Sequence, residues 1–328
     1  MRFQVEEKRR KANILNSMQQ YVYDGAIVKT PLVRPLLASL VATALVAVDA
    51  CSKSDNTPPV ATVTVTPSKT RVALGSPLDL TYRFDVAPGT TIPGDYRVFV
   101  HFVKPDGQIL WSDDHDIPAD VPPTSQWKPG QNVQYTMSRF IPVVPYNGDA
   151  NIEVGLYRES DRLPLQALEN TDHEKLTRSY KVTTLTLLPQ SENILVIFKG
   201  GWHPAEFSGD DAAVSWQWTQ KSGVLSIKNP HKDATLFLEY DARPDLFAGQ
   251  AQQVSVYVGD QLVQTFAADN SGRTLKRIPM TAAQLGGNEM TDLRIDVDKT
   301  FVPAKMPAGG RDIRELGIRV YHAFVESR

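Results

Sequence analysis

From residue 61 to the end of the chain, apolar positions recur every second residue, the period of a half-buried β-strand. Ala61-Thr62-Val63-Thr64-Val65-Thr66 alternates apolar residues with threonine, and residues 78–84 (Leu-Asp-Leu-Thr-Tyr-Arg-Phe) alternate in the same way. Residues 96–103 are more continuously apolar and predict a central strand. Pro105-Asp106-Gly107 is a turn by residue type, so residues 108–111 are expected to return as the second strand of a hairpin. Residues 117–130 carry four prolines and predict a long loop. Residues 133–141, 151–157 and 180–188 supply further strands.

The second half is patterned more sharply. Residues 225–228 and 236–240 alternate, and residues 254–258 put three valines on one face. Gly259-Asp260 is a two-residue hairpin signal, with residues 261–266 as the return. Residues 293–298 (Leu-Arg-Ile-Asp-Val-Asp) place aliphatics on one side and charges on the other. Residues 316–321 form the last expected strand, and only residues 281–285 predict a helical turn. Strands and helices never alternate, which argues against a Rossmann-type or α/β-barrel enzyme. The expectation is an all-β chain of two tandem antiparallel β-sandwiches, Ig-like or jelly-roll-like, over residues 61–190 and 191–328.

Upstream the pattern changes. Residues 36–48 are an apolar run behind Lys29 and Arg34, and the run ends in Val48-Asp49-Ala50-Cys51. Thirteen residues are too few for the roughly 20 a membrane-spanning helix needs. A basic flank, a short apolar core and a small residue before the cut are the parts of a secretory signal. Residues 52–60 are Ser, Asp, Asn, Thr and Pro in the main and read as a tether. Because signal segments run to about 15–30 residues, we read Val28-Lys29-Thr30 as the true start, with residues 1–27 upstream of it. Mapping the native N-terminus tests this.

The chain has 328 residues, a net charge of −2 and a hydrophobic fraction of 41%. The length suits two domains after a leader. Nothing in that charge points to a nucleic-acid binder, which needs a basic patch. Cys51 is the single cysteine, so the sequence carries no intrachain disulfide and no cysteine-based metal site.

The segment ending in Ala50-Cys51 resembles a bacterial lipoprotein signal, with Val48 and Asp49 departing from that family's preferred residues. The resemblance implies that Cys51 carries lipid. The mature protein is then exported and anchored to a membrane of the cell envelope, on its periplasmic or surface face. Two further stretches resemble known modules. Val98-Phe99-Val100-His101-Phe102-Val103, Asp106-Gly107, Trp127-Lys128-Pro129-Gly130, Val154-Gly155-Leu156-Tyr157 and Arg162-Leu163-Pro164-Leu165 resemble an Ig-like module. It is found at the tails of membrane glycosyltransferases of the dolichyl-phosphate-mannose mannosyltransferase type and in exported proteins. Gly201-Trp202, Trp216-Gln217-Trp218-Thr219, Thr300-Phe301-Val302-Pro303 and Asp312-Ile313-Arg314-Glu315-Leu316-Gly317 resemble a second β-sandwich with the same associations. The resemblance implies an extracytoplasmic accessory pair. The membrane portion of those transferases is absent, so sugar transfer does not carry over.

The candidate chemistry is sparse. Asp113-Asp114-His115-Asp116 is the densest acidic run, but neighbours on a strand point to opposite faces, and a solvated loop is the favoured reading. No metal site and no cofactor is expected. Trp202, Trp216 and Trp218 are candidates for stacking on sugar rings; Trp216 and Trp218, two apart, share a face. Core packing competes and is favoured for at least two of the three. Trp111 and Trp127 are weaker candidates of that kind. Asp312, Arg314 and Glu315 could grip sugar hydroxyls or carboxylates, against the favoured reading of a structural ion pair. The six histidines (His101, His115, His173, His203, His231 and His322) are scattered. The chain has no G-x-S-x-G elbow, H-E-x-x-H or P-loop.

The expected function is therefore a non-catalytic envelope lipoprotein that binds or assembles with an envelope protein. The first alternative is glycan binding through an aromatic face of the second sandwich. The second is a hydrolase with a carboxylate pair, which forms in space and leaves no spacing signature.

Overall fold

The computed structural model describes residues 57–167, 177–209, 214–307 and 310–328. Cys51, His173 and most of the expected leader and tether lie outside the described residues. Among the described residues no helix is long and apolar enough to cross a membrane.

The chain is all-β. Its first half forms β1 (Ala61–Pro67), β2 (Arg71–Ala73), β3 (Pro77–Val86), β4 (Arg97–Val103), β5 (Ile109–Ser112), β6 (Asn132–Phe140), β7 (Gly148–Arg158), β8 (Asp161–Arg162), β9 (Leu165–Ala167) and β10 (Tyr180–Leu188). One sheet runs β6-β3-β1-β9. The facing sheet runs β2-β10-β7-β4-β5, with β8 paired to β7. Inward residues of both sheets, such as Val63, Leu80 and Phe84 against Val100, Ile152 and Leu185, make one core. Two short pairings, β1 with β9 and β10 with β2, are parallel, which corrects the purely antiparallel expectation. The run of β1 ends at Pro67, which offers no N–H to continue the ladder. The chain then joins the other sheet as β2.

The second half forms β11 (Val196–Phe198), β12 (Glu206–Phe207), β13 (Ser215–Trp218), β14 (Ser222–Lys228), β15 (Ala234–Asp241), β16 (Gln252–Val258), β17 (Gln261–Ala268), β18 (Thr274–Met280), β19 (Met290–Val297) and β20 (Arg319–Ser327). One sheet runs β11-β14-β19-β16-β17 and the other β12-β13-β20-β15-β18. Leu225, Ile227, Val254, Val256, Leu293 and Ile295 of the first pack on Leu236, Leu238, Ile278, Val320 and Val325 of the second. The helical turn at Ala282–Leu285 forms because Thr281 caps the amide of Gln284 while the Gln284 side chain returns to the amide of Thr281.

The expected last strand is displaced. Leu316 bridges to Phe301, Gly317 and Ile318 hydrogen-bond to Thr219, and β20 begins at Arg319. Its register against β15 shifts between Glu239 and Tyr240, so Tyr321 is an extra, bulged residue. Ile318 and Val320 face the core before the bulge, and Ala323 and Val325 after it. A bulge re-aims side chains, and here it leaves Arg319, Tyr321 and His322 together on the outer face.

The two halves touch. His322 stacks on Phe140 of the first sandwich at 4.6 Å. Arg277 pairs with Asp79, and Lys69 with Glu326.

Candidate functional site

The acidic run is an irregular segment after β5 with Asp114 and Asp116 exposed, as a solvated loop requires, but His115 is buried, which corrects the loop reading at that residue. The side chains of the run diverge. Asp113 pairs with Arg139 at 2.8 Å, Asp114 accepts from the amide of Val100, and Asp116 reaches Arg97 at 2.7 Å. His115 is 6% exposed and lies between Tyr82 and Tyr135, with its Nε2 3.0 Å from the Tyr135 hydroxyl. The reason is the bridge from His115 to Val98, which draws this stretch onto the edge of the sheet. Burial pushes the His115 imidazole down to about 4. Among the described residues no group of three or more His, Cys, Asp or Glu side chains could hold a metal ion.

The three tryptophans divide. Trp202 packs edge-on to Phe198, donates from Nε1 to the carbonyl of Val224, and belongs to the margin of the second core. Gly223 leaves it room, since a Cβ there would lie 2.9 Å from the indole. Trp218 is 7% exposed and forms a satellite cluster with Phe301 and Leu316 on the outer face of the β12–β18 sheet. Trp216 shares that face, as its spacing predicts, but sits half-buried at the cluster's edge. The other two, Trp111 and Trp127, pack on the first core: Trp111 stacks on Phe102 at 4.1 Å and Trp127 is 4% exposed.

Asp312 and Arg314 come together with Trp216 through a residue the sequence did not single out. Arg314 grips Asp312 with two nitrogens and reaches Glu206 with Nη1 at 2.6 Å. Glu206 also accepts from Trp216 Nε1 at 3.1 Å. The carboxylate of Asp312 is held down at about 2 by its bonds from the Arg314 side chain and amide. Glu315 goes elsewhere: its carboxylate accepts from Thr300, and its carbonyl meets His203 Nε2 at 2.7 Å.

Arg319, Tyr321, Asp241 and Arg273 complete this face, and none of them carried a motif. The Arg319 guanidinium lies 5.1 Å from the Trp216 ring, 5.5 Å from Trp218 and 5.2 Å from Tyr321. Asp241, 2% exposed, holds Arg319 and accepts from the Tyr321 hydroxyl at 2.9 Å. Burial pulls the Arg319 pKa down, but its bonds and attraction to Asp241 outweigh that and leave it raised. Arg273 caps Tyr321 with its guanidinium 4.1 Å from the ring. The alternation of Arg319 with Tyr321 was the one signal available in the sequence.

The other sheet of this sandwich carries a shallow depression of about 470 Å³ lined by Ser222, Ser255, Tyr257, Arg294 and Asp296, among others. Its polar groups are engaged with one another. Arg294 covers the Tyr257 ring at 4.3 Å and pairs with Asp296, which also accepts from Ser222.

No family model matches the chain, and no curated protein matches it. Solved structures match at low similarity. Bacteroides uniformis β-glucuronidase is 9% identical, with a TM-score of 0.27 over 84% of this chain and 30% of that one. The CBM51-2 and INT domains of Clostridium perfringens ZmpB are 10% identical, with a TM-score of 0.22 over 56% of this chain and 38% of that one. Pseudomonas fluorescens alkylpurine DNA glycosylase AlkC is 13% identical, with a TM-score of 0.23 over 39% and 30%. The chain thus spans well under half the length of each, and likeness at this level carries no argument about function.

Proposed function

We propose that this chain is a non-catalytic binding module of the bacterial cell envelope, exported and held to the membrane by lipid on Cys51. It takes a glycan on the outer face of the β12–β18 sheet. One observation carries the glycan reading: Trp216 is half-buried on that face, with its indole N–H tied to Glu206 and the Arg319 guanidinium over its ring. A fixed aromatic ring edged by polar groups is the arrangement that a sugar ring, apolar on its faces and hydroxylated at its rim, requires. The core roles of Trp202 and Trp218 leave Trp216 as the ring to test. The resemblance of the segment ending at Cys51 to a lipoprotein signal supports the anchoring.

The full chain, purified from membranes in detergent, is titrated against a panel of oligosaccharides with tryptophan fluorescence as the readout. Saturable binding, lost in Trp216→Ala with the circular dichroism spectrum unchanged, supports the reading. A folded protein that binds nothing on the panel refutes the glycan assignment and turns the search to protein partners. Mass spectrometry of the Cys51 peptide tests the anchor, and an unmodified Cys51 in a soluble product would sink it.

A further inference from the structure

The outer face that holds Trp216 is built as a ladder of alternating rings and guanidiniums. Trp216 meets Tyr321 edge-on at 6.1 Å, Arg319 lies against both, and Arg273 caps Tyr321. The charges along the ladder are not treated alike. Arg319 is neutralised by the buried Asp241. Arg314, at the Trp216 end, is neutralised by Asp312 and Glu206. Arg243, over Phe301 of the satellite cluster, is paired with Asp245 at 2.7 Å. Arg273 is exposed and, among the described residues, is paired with no carboxylate.

Arg273 is nonetheless held in place. Its guanidinium lies over the Tyr321 ring and also hydrogen-bonds the Tyr321 side chain, and with five N–H donors it keeps others for a planar anion. The ring beneath it cannot swing, because the Tyr321 hydroxyl is bonded to Asp241. The chain leading to Arg273 is fixed as well: Asn270 accepts from the amide of Gly272, and Thr274 donates to the Gly272 carbonyl. Little conformational freedom remains to be lost when an anion binds. An oriented, uncompensated guanidinium beside a sugar-sized aromatic ring matches a carboxylate, which it can take with two parallel hydrogen bonds.

We propose that Arg273 receives the carboxylate of a uronic-acid-bearing glycan whose neighbouring sugar lies against Trp216. This inference rests on the glycan reading above and adds the class of sugar. The ligand runs across the strands, from the Glu206 end of the face, where hydroxyls find an acceptor, to the Arg273 end, where the negative charge is met.

The test uses the full chain in detergent and calorimetric titration. The probes are oligosaccharides of galacturonate, glucuronate and mannuronate and, at equal length and linkage, of galactose, glucose and mannose. A uronate is expected to bind about tenfold more tightly than its neutral counterpart at low salt, with the preference shrinking as salt screens the exposed Arg273. Arg273→Ala should bring the uronate down to the affinity of the neutral sugar, and Trp216→Ala should weaken both. Equal binding of the two sugars, or a preference that survives Arg273→Ala, overturns the inference and leaves the glycan reading standing. A folded protein that binds neither series overturns both. Arg273 is exposed and precedes β18, so its replacement disturbs no core contact.

Discussion

Acidification should unlock the first sandwich through one residue. His115 is 6% exposed, and burial moves its imidazole from 6.5 to about 4. In the window between those values the unfolded chain takes up a proton that the folded chain refuses. Stability therefore falls as pH falls through that window. At about 1.4 kcal/mol per pKa unit, the full gap comes to ~3 kcal/mol, of which about 2 kcal/mol is lost by pH 4.5. Asp113 acts in the opposite sense. Its pKa is raised by burial, against the pull of Arg139, so the folded state holds that proton longer and is favoured by acid.

The slope that belongs to His115 is isolated by comparison with the double variant His115→Phe/Tyr135→Phe. It removes the imidazole together with the hydroxyl that meets its Nε2, and the Asp113 carbonyl that faces Nδ1 is the group left to find another partner, a cost that is the same at both pH values. Urea unfolding of both proteins is followed by tryptophan fluorescence at pH 7 and pH 4.5. The natural chain should lose about 2 kcal/mol more than the variant between the two values. Equal losses would refute the account of a buried neutral imidazole. So would a proton NMR titration in which the His115 ring of the native protein titrates near 6.5.

Arg319→Met should destabilise the second sandwich by about 3 kcal/mol, because it leaves the buried Asp241 carboxylate without its cation. Urea unfolding should show most of that loss recovered in Arg319→Met/Asp241→Asn, and a double variant as unstable as the single one would show that stranded charge is not the cause. Gly201→Ala should cost more than the ~1–3 kcal/mol of a left-handed backbone alone, since its φ is 82° and a Cβ would lie 1.8 Å from the Ser222 carbonyl oxygen. Gly130→Ala, with φ 75° and open space around it, should cost only the backbone strain; thermal melts that rank the two the other way would contradict the packing argument.

Much of the sheet structure is written locally. Leu293, Ile295 and Val297 face the core with Arg294 and Asp296 outward, as their alternation requires, and Gly259-Asp260 turns the β16–β17 hairpin. The helical turn after Thr281 is equally local. In each case the information sits in residues two to four apart, which is the range over which backbone periodicity acts. The pairing of Asp312 with Arg314 and the shared face of Trp216 and Trp218 were legible for the same reason.

Long-range geometry decided the remainder. The bulge at Tyr321 depends on how β20 registers against β15, and the pairing spans some eighty positions in sequence. The role of Glu206 depends on β12 lying beside β13 while a loop about one hundred residues later brings Arg314 to it. His115 reads as part of a charged loop, and only the bridge to Val98 buries it. Local alternation and turn chemistry are enough to dictate the all-β class, the strand faces and the turns. Which rings became core, which remained at the surface, and how the arginines of the outer face were partnered were settled only by tertiary structure. They depend on which strands and loops meet across the sheet, and no short-range pattern encodes that choice.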